Sequence, residues 1–465
     1  MSNRVIHWSL RRLLMLFFAG LMQAGSQGQQ PTATPATCKV EAVNYKGWDA
    51  QQVSNPWVKL IFVPQNGGRL MQVTFDEHPY LFVNPQYAGK YLPPSNTDWF
   101  NYGGDKLWVL PEGNDDEQHW VGNSDTLDDG PFAFRVLRQG PECEVLLTGP
   151  ADPLTGLQFT RVVHLDANSP RIQFHATFAN ATKHPIEWSV QSVTQYDAAD
   201  AKDPAHHNKD IWGFSSANPA SSYLNRYHVR TGPAENPAAS VREDGIFSVH
   251  YAPLAAELWL DSKDGWLAVV DGASEYAMVE RFRYDDAKQY PGKASVIFWT
   301  NGPEIRQSAD GTFTLGRPDR AASPFYMEAE LNSPLARLYP GESQSFDTEW
   351  FPTRGDRTFQ GVKDSGVILK PLHAAAVASD GKIEISGTFG VFFPGKLVAY
   401  FYSRHGTALG TEPLAEVDPR KIVSLKVSSA FRGHPGRVSL HLLDPSGSDC
   451  GSLGEVVLEV SDRPE

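Results

Sequence analysis

Residues 171–178 read RIQFHATF, and apolar side chains occupy every second position. Ile172, Phe174, Ala176 and Phe178 share one face; Arg171, Gln173, His175 and Thr177 share the other. Successive side chains of a strand point to opposite faces, so a period of two marks a strand with one buried face. From about residue 41 the pattern recurs in WVKLIFV, LMQVTF, EVLLTG, LQFTRVVHL, IEWSVQSVTQY, ELWLDS, GWLAVV, YAMVERFRY, ASVIFWT, FYMEAEL and SFDTEWF, punctuated by Gly, Pro, Asn and Asp. No window of a dozen residues carries an apolar stripe of period 3.6. Without crossover helices the sheets must be antiparallel and packed face to face: an all-β chain.

The 465 residues exceed what one compact domain needs. After Trp350 the texture changes. FPTRGDRTFQGVKDSG is polar and turn-rich, so residues 353–366 are read as a linker between a large sandwich at 41–352 and a smaller domain at 367–465. The latter holds VILKPLHAAAV, KIEISGTF, KLVAYFYS, IVSLKVSS, RVSLHLL and EVVLEVS, a spacing that reads as an immunoglobulin-like β-sandwich. At the N-terminus Arg4, Arg11 and Arg12 precede the apolar run LLMLFFAGLM, and small residues follow at 24–26. Residues 1–26 are read as a signal peptide, and the Pro/Thr-rich 27–40 as a flexible lead-in. About ten apolar residues are too few to span a bilayer, so an exported protein without membrane insertion, periplasmic or secreted, is expected.

Formal net charge is −13, which disfavours nucleic acid as a partner. Three cysteines (Cys38, Cys143, Cys450) permit at most one internal disulfide and form no metal framework. HH at 206–207 and NDDEQH at 114–119 lack ligand spacing, so neither a metal nor a cofactor is expected.

Function is sought where polar residues break the pattern. Arg161 falls within the apolar set Leu157, Phe159, Val163, Leu165. An unpaired buried guanidinium is costly, so it must meet a carboxylate or open onto a polar cleft. In FYMEAEL, Glu328 and Glu330 share the face opposite Met327, Ala329 and Leu331, about 7 Å apart at a rise of roughly 3.4 Å per residue. In IEWSVQSVTQY, Glu187, Ser189, Gln191 and Gln195 form a row suited to sugar hydroxyls. NYGGDKLWVLPEG at 101–113 interrupts a strand with two glycines, an Asp-Lys pair and a tryptophan.

The segments NGGRLMQVTFDEHPYLFVNP (66–85), DWFNYGGDKLWVLPEG (98–113), DPLTGLQFTRVVHL (152–165) and YMEAELNSPLARLYPGES (326–343) resemble an uncharacterised bacterial family of the galactose mutarotase-like, or aldose 1-epimerase-like, superfamily. The resemblance covers about 41–352, and YGGDKLW is its specific signature. It implies a β-supersandwich that binds a monosaccharide or glycan in a hollow face, with isomerase chemistry. It implies Glu328 as the general base, with Glu330 as the alternative. It places Arg69, Tyr102, Lys106, Trp108, Glu112, Arg161, Gln191 and Gln195 among the ligand-binding residues, with the two glycines letting backbone approach the ligand. Mutarotation also needs an acid to protonate the ring oxygen. Where such epimerases carry histidines, this chain has Gln191 and Tyr102, and an amide is no proton donor of useful acidity. His164, His175 and Lys106 are the remaining candidates. A non-catalytic glycan-binding protein that has lost its acid is the alternative.

Overall fold

Strand pairing among the described residues gives two large sheets, two four-stranded ones and one two-stranded ribbon. The computed structural model describes residues 36–112, 124–302, 305–307, 313–315, 324–376 and 382–458. The expected signal segment, residues 27–35 of the lead-in and the acidic run 114–119 lie outside the described residues. Within 27–40, Lys39 and Val40 already belong to a strand, Lys39–Tyr45, so the lead-in ends earlier than expected. Every strand pairing among the described residues is antiparallel, and no α-helix occurs among them. No helix there is long and apolar enough to cross a membrane.

The first large sheet has at its centre Asp105–Leu110, Ile186–Asp197, Tyr326–Asn332 and Val296–Thr300, then Ala256–Leu260 and His228–Thr231 toward one edge. The second runs through Trp266–Asp271, Tyr276–Phe282, Ser343–Arg354, Ile172–Asn180, Leu157–Asp166 and Glu142–Ala151. One face of each meets the other in the main core, built from Val109, Val190, Phe298 and Met327 on one side and Phe159, Val163, Phe174 and Trp350 on the other. The period-two pattern thus becomes a two-layer sandwich.

Some strands are apolar on both faces. In Tyr276–Phe282, Met278 and Phe282 enter the main core, whereas Ala277 and Val279 join a second cluster with Phe351, Phe359, Val367 and Phe392. The C-terminal sandwich covers the outer face of the second sheet there. Its sheets, Gly361–Lys363/Gly366–Ala376/Ile383–Val391/Val423–Ser429 and Ala408–Val417/Gly395–Tyr402/Arg437–Leu443/Asp449–Val457, enclose a third core. Phe359, inside the expected linker, is fully buried in that junction. A disulfide joins Cys38 to Cys143 across 105 residues, tying the chain's first described residues to the second sheet.

The two large sheets also share a polar contact in their core. Arg161 pairs with Asp105, both almost wholly buried. Ser192 and Thr194 donate to the other Asp105 oxygen at 3.1 and 3.3 Å, and the guanidinium lies 4.1 Å from the Phe174 ring. Arg161 therefore spans the sandwich and does not reach a cleft, which corrects its expected ligand-binding role. Its in-facing parity left a partner or a cleft open; Asp105, facing inward from the opposite sheet, is the partner. Nearby, Glu280 accepts a hydrogen bond from Tyr196 at 2.6 Å, and burial pushes its carboxyl up to about 8.

Removing one partner of a buried ion pair leaves an uncompensated charge. Arg161→Met should lower the unfolding free energy by about 3–5 kcal/mol in urea titrations. Arg171→Met, which breaks a half-exposed bridge to Glu349, should cost under about 1 kcal/mol. Equal costs would refute the structural role of the core pair. The Glu280 carboxyl, raised in the fold, holds a proton that the unfolded chain releases at about 4.3. Its contribution is complete below that point and disappears as pH rises through about 8, so Glu280→Gln should flatten the loss of stability across this window.

Candidate functional site

The outer face of the first sheet carries the other parity, and there the polar and aromatic residues collect. Lys106 and Trp108 point outward from Asp105–Leu110, Gln191 and Val193 from Ile186–Asp197, and Glu328, Glu330 and Asn332 from Tyr326–Asn332. Ile297 and Trp299 continue from the next strand, Glu257 and Trp259 from the one beyond. Antiparallel register sets them in rows: Lys106 beside Val193, Glu330, Ile297 and Trp259; Gln195 beside Glu328, Trp299 and Glu257; Trp108 beside Gln191 and Asn332. Together they line a cleft of about 610 Å³, within the usual range of small-molecule sites.

The two carboxyls form its floor. The Glu328 carboxylate accepts a hydrogen bond from Gln195 at 2.6 Å, and Glu330 accepts one from Gln191. Burial raises both above the ordinary carboxyl range, and they are hydrogen-bonded to each other. That bond lowers Glu328 and raises Glu330; the Glu328 charge, with Glu257 and Glu112 beyond it, raises Glu330 further. Environment thus separates two like groups, with Glu330 pushed further up than Glu328.

Lys106 lies under one wall. Its ammonium donates to Asp128 at 2.8 Å and sits 3.5 Å from the Trp108 ring centre. Burial lowers it to about 8, although Asp128 opposes the shift. Trp108 in turn donates its indole N–H to Glu112 at 3.1 Å.

Of the expected ligand-binding residues, Lys106, Trp108, Glu112 and Gln191 line the cleft with Glu328 and Glu330. Gln195 lies buried behind Glu328. Arg69 and Tyr102 are elsewhere, a correction to both. Arg69 is buried against Asp128 at 2.5 Å and also donates to the Gly103 carbonyl. Tyr102 is packed with Trp48, Ile61 and Met71 beneath the loop before Asp105, and its hydroxyl accepts from the Leu92 N–H. The glycines are explained by packing too. Gly103 and Gly104 have φ of +91° and +78°, and a Cβ would stand 2.2 Å from the Phe82 carbonyl oxygen or 2.6 Å from that of Leu70. They serve close strand approach and not contact with a ligand.

Neither candidate histidine reaches the cleft. His175 pairs with Asp347 at 2.6 Å on the outer face of the second sheet, and His164 lies on that same face. Trp299, Trp259, Glu257 and Asn332 were overlooked. The signal existed: in ELWL and VIFWT a tryptophan shares its parity with Glu257 or Ile297, a mixed face that a solvated strand seldom needs. Among the described residues no cluster of three or more His, Cys, Asp or Glu is arranged to hold a metal ion.

No family model matches the chain, and no curated protein does. Solved structures similar to it include galactose mutarotase-like proteins. One from Lactobacillus casei is 9% identical over 65% of this chain and 99% of that one, with TM-score 0.41. One from Clostridium acetobutylicum is 8% identical over 69% and 99%, with TM-score 0.39. A TPR-domain containing protein from Parabacteroides distasonis is 15% identical over 66% of this chain, with TM-score 0.43; the chain spans 47% of its length.

The ammonium of Lys106 should titrate near 8 in NMR spectra of protein labelled at lysine side chains, well below the ordinary value of about 10.4. Asp128→Asn removes a charge that holds the proton, so the midpoint should fall further. A Lys106 midpoint above about 10 would show that the ammonium is solvated and not part of a dry wall.

Proposed function

We propose that this chain is an exported carbohydrate-binding protein whose cleft holds a monosaccharide or glycan end, and that it interconverts anomers as an aldose 1-epimerase-like isomerase. The carboxyl pair carries the reading: two hydrogen-bonded groups, Glu330 raised further than Glu328, on the floor of an aromatic-lined cleft. Ionised Glu328 removes the anomeric hydroxyl proton while protonated Glu330 delivers its own to the ring oxygen. The bond from C1 to the ring oxygen breaks, the C1 carbonyl forms, and reclosure on the other face returns both protons. Glu330 then supplies the acid that the missing histidines would have provided. Tryptophan faces suit the apolar faces of a sugar ring, and Gln191 and Asn332 suit its hydroxyls. Export is favoured by the N-terminal segment and by the Cys38–Cys143 pairing, since disulfides persist in oxidising compartments.

The non-catalytic reading keeps the same cleft. What favours it is that no imidazole is among the described residues that line it. Proton NMR of a freshly dissolved single anomer, with and without protein, separates the two. The isomerase should speed equilibration of at least one hexose, pentose or uronic acid, and Glu328→Gln should slow it by about 10²–10⁴-fold. Activity should also fall at high pH, as Glu330 loses its proton. Binding by calorimetry without acceleration would leave only the binding protein; neither binding nor acceleration would end both.

A further inference from the structure

Among the described residues, the cleft is rich in acceptors and short of free positive charge. Glu257, Glu328 and Glu330 line it, and Glu112 stands at its exposed rim. Of the cations beside it, Lys106 is engaged by Asp128, which also holds Arg69. Arg230 is exposed at the rim, where solvent and salt screen it.

Asn332 adds an independent sign. It is fully buried and lines the cleft, and its side-chain nitrogen donates to the Ala294 carbonyl at 2.9 Å. Its Oδ1 has no donor among the described residues. Buried acceptors without donors are costly, which makes them places where a ligand's donors are missing. A sugar hydroxyl supplies one donor and no charge. An ammonium supplies three donors and one positive charge, and the face of Trp299 attracts cations as those of Trp108 and Trp259 do for Lys106 and Arg230. A carboxylate on the ligand would instead meet like charge.

Resting on the carbohydrate reading, the geometry points to a saccharide bearing a protonated amine as the preferred ligand. Neutral parent sugars rank second and uronic acids last. The amine sits among the outward-facing acceptors of Tyr326–Asn332 and the Glu257 carboxylate, and the ring lies across the tryptophans.

Calorimetric titration of the full chain at about pH 6, below the ordinary range of an α-amine, tests the ranking. The probes are glucosamine and galactosamine, their parent hexoses, their N-acetylated forms, and glucuronate and galacturonate. At least one hexosamine should bind about tenfold or more tighter than its parent, as expected for one partly shielded charge pair. N-acetylation should abolish the gain, and Glu257→Gln should shrink the hexosamine-to-hexose ratio. Parent hexoses binding as tightly as hexosamines, or uronates binding best, would overturn the amine preference while leaving a sugar site intact. No binding by any probe would overturn both the preference and the carbohydrate reading.

Discussion

Register across three neighbouring strands governs this molecule. In Asp105–Leu110 the even residues Lys106 and Trp108 face outward; in Ile186–Asp197 it is the odd residues, and in Tyr326–Asn332 the even ones. Slipping any of these strands by one residue would exchange its two faces completely. Asp105 would then enter the cleft and Lys106 the core, with Glu328 and Glu330 driven among Phe298 and Val190. The Asp105–Arg161 pair makes such slips expensive, because only one register puts the carboxylate opposite the guanidinium. As a buried ion pair it is a weak source of net stability.

The floor of the cleft shows the opposite use of burial. Glu328 and Glu330 are desolvated side by side, and the fold gains nothing in stability from that arrangement. What it gains is two different acidities from one residue type, held by the amides of Gln191 and Gln195. The same row pattern that aligns them places Trp299, Trp259 and Glu257 alongside. Most of the described lining of this chemically asymmetric cleft thus comes from one sheet face.

Much of this was legible because period two is a local property. RIQFHATF, LQFTRVVHL and YMEAELN announce both their strands and their faces, and the shared face of Glu328 and Glu330 follows from spacing alone. Other strands were obscured. Ile211–Ser216 is buried on both faces, and Ala408–Val417 holds Gly410 and Pro413 within a mostly exposed edge. Arg69 and Tyr102 sit within quoted motifs, yet both turn into the interior, and motif membership carries no direction. Gly103 and Gly104 signalled a close approach correctly, but not that the neighbour is the backbone at Phe82 and Leu70.

Sequence by itself determined the all-β character, the two faces of most strands, and the rule that Arg161 must meet a carboxylate or open onto a polar cleft. Those are properties of nearest neighbours along the chain and of the cost of an unpaired charge. Tertiary structure alone decided that the partner is Asp105, that Lys106 is taken up by Asp128, and that Glu330 is pushed further up than Glu328. Each of these depends on which strands lie side by side, a choice made by packing over long separations that no short stretch of residues encodes.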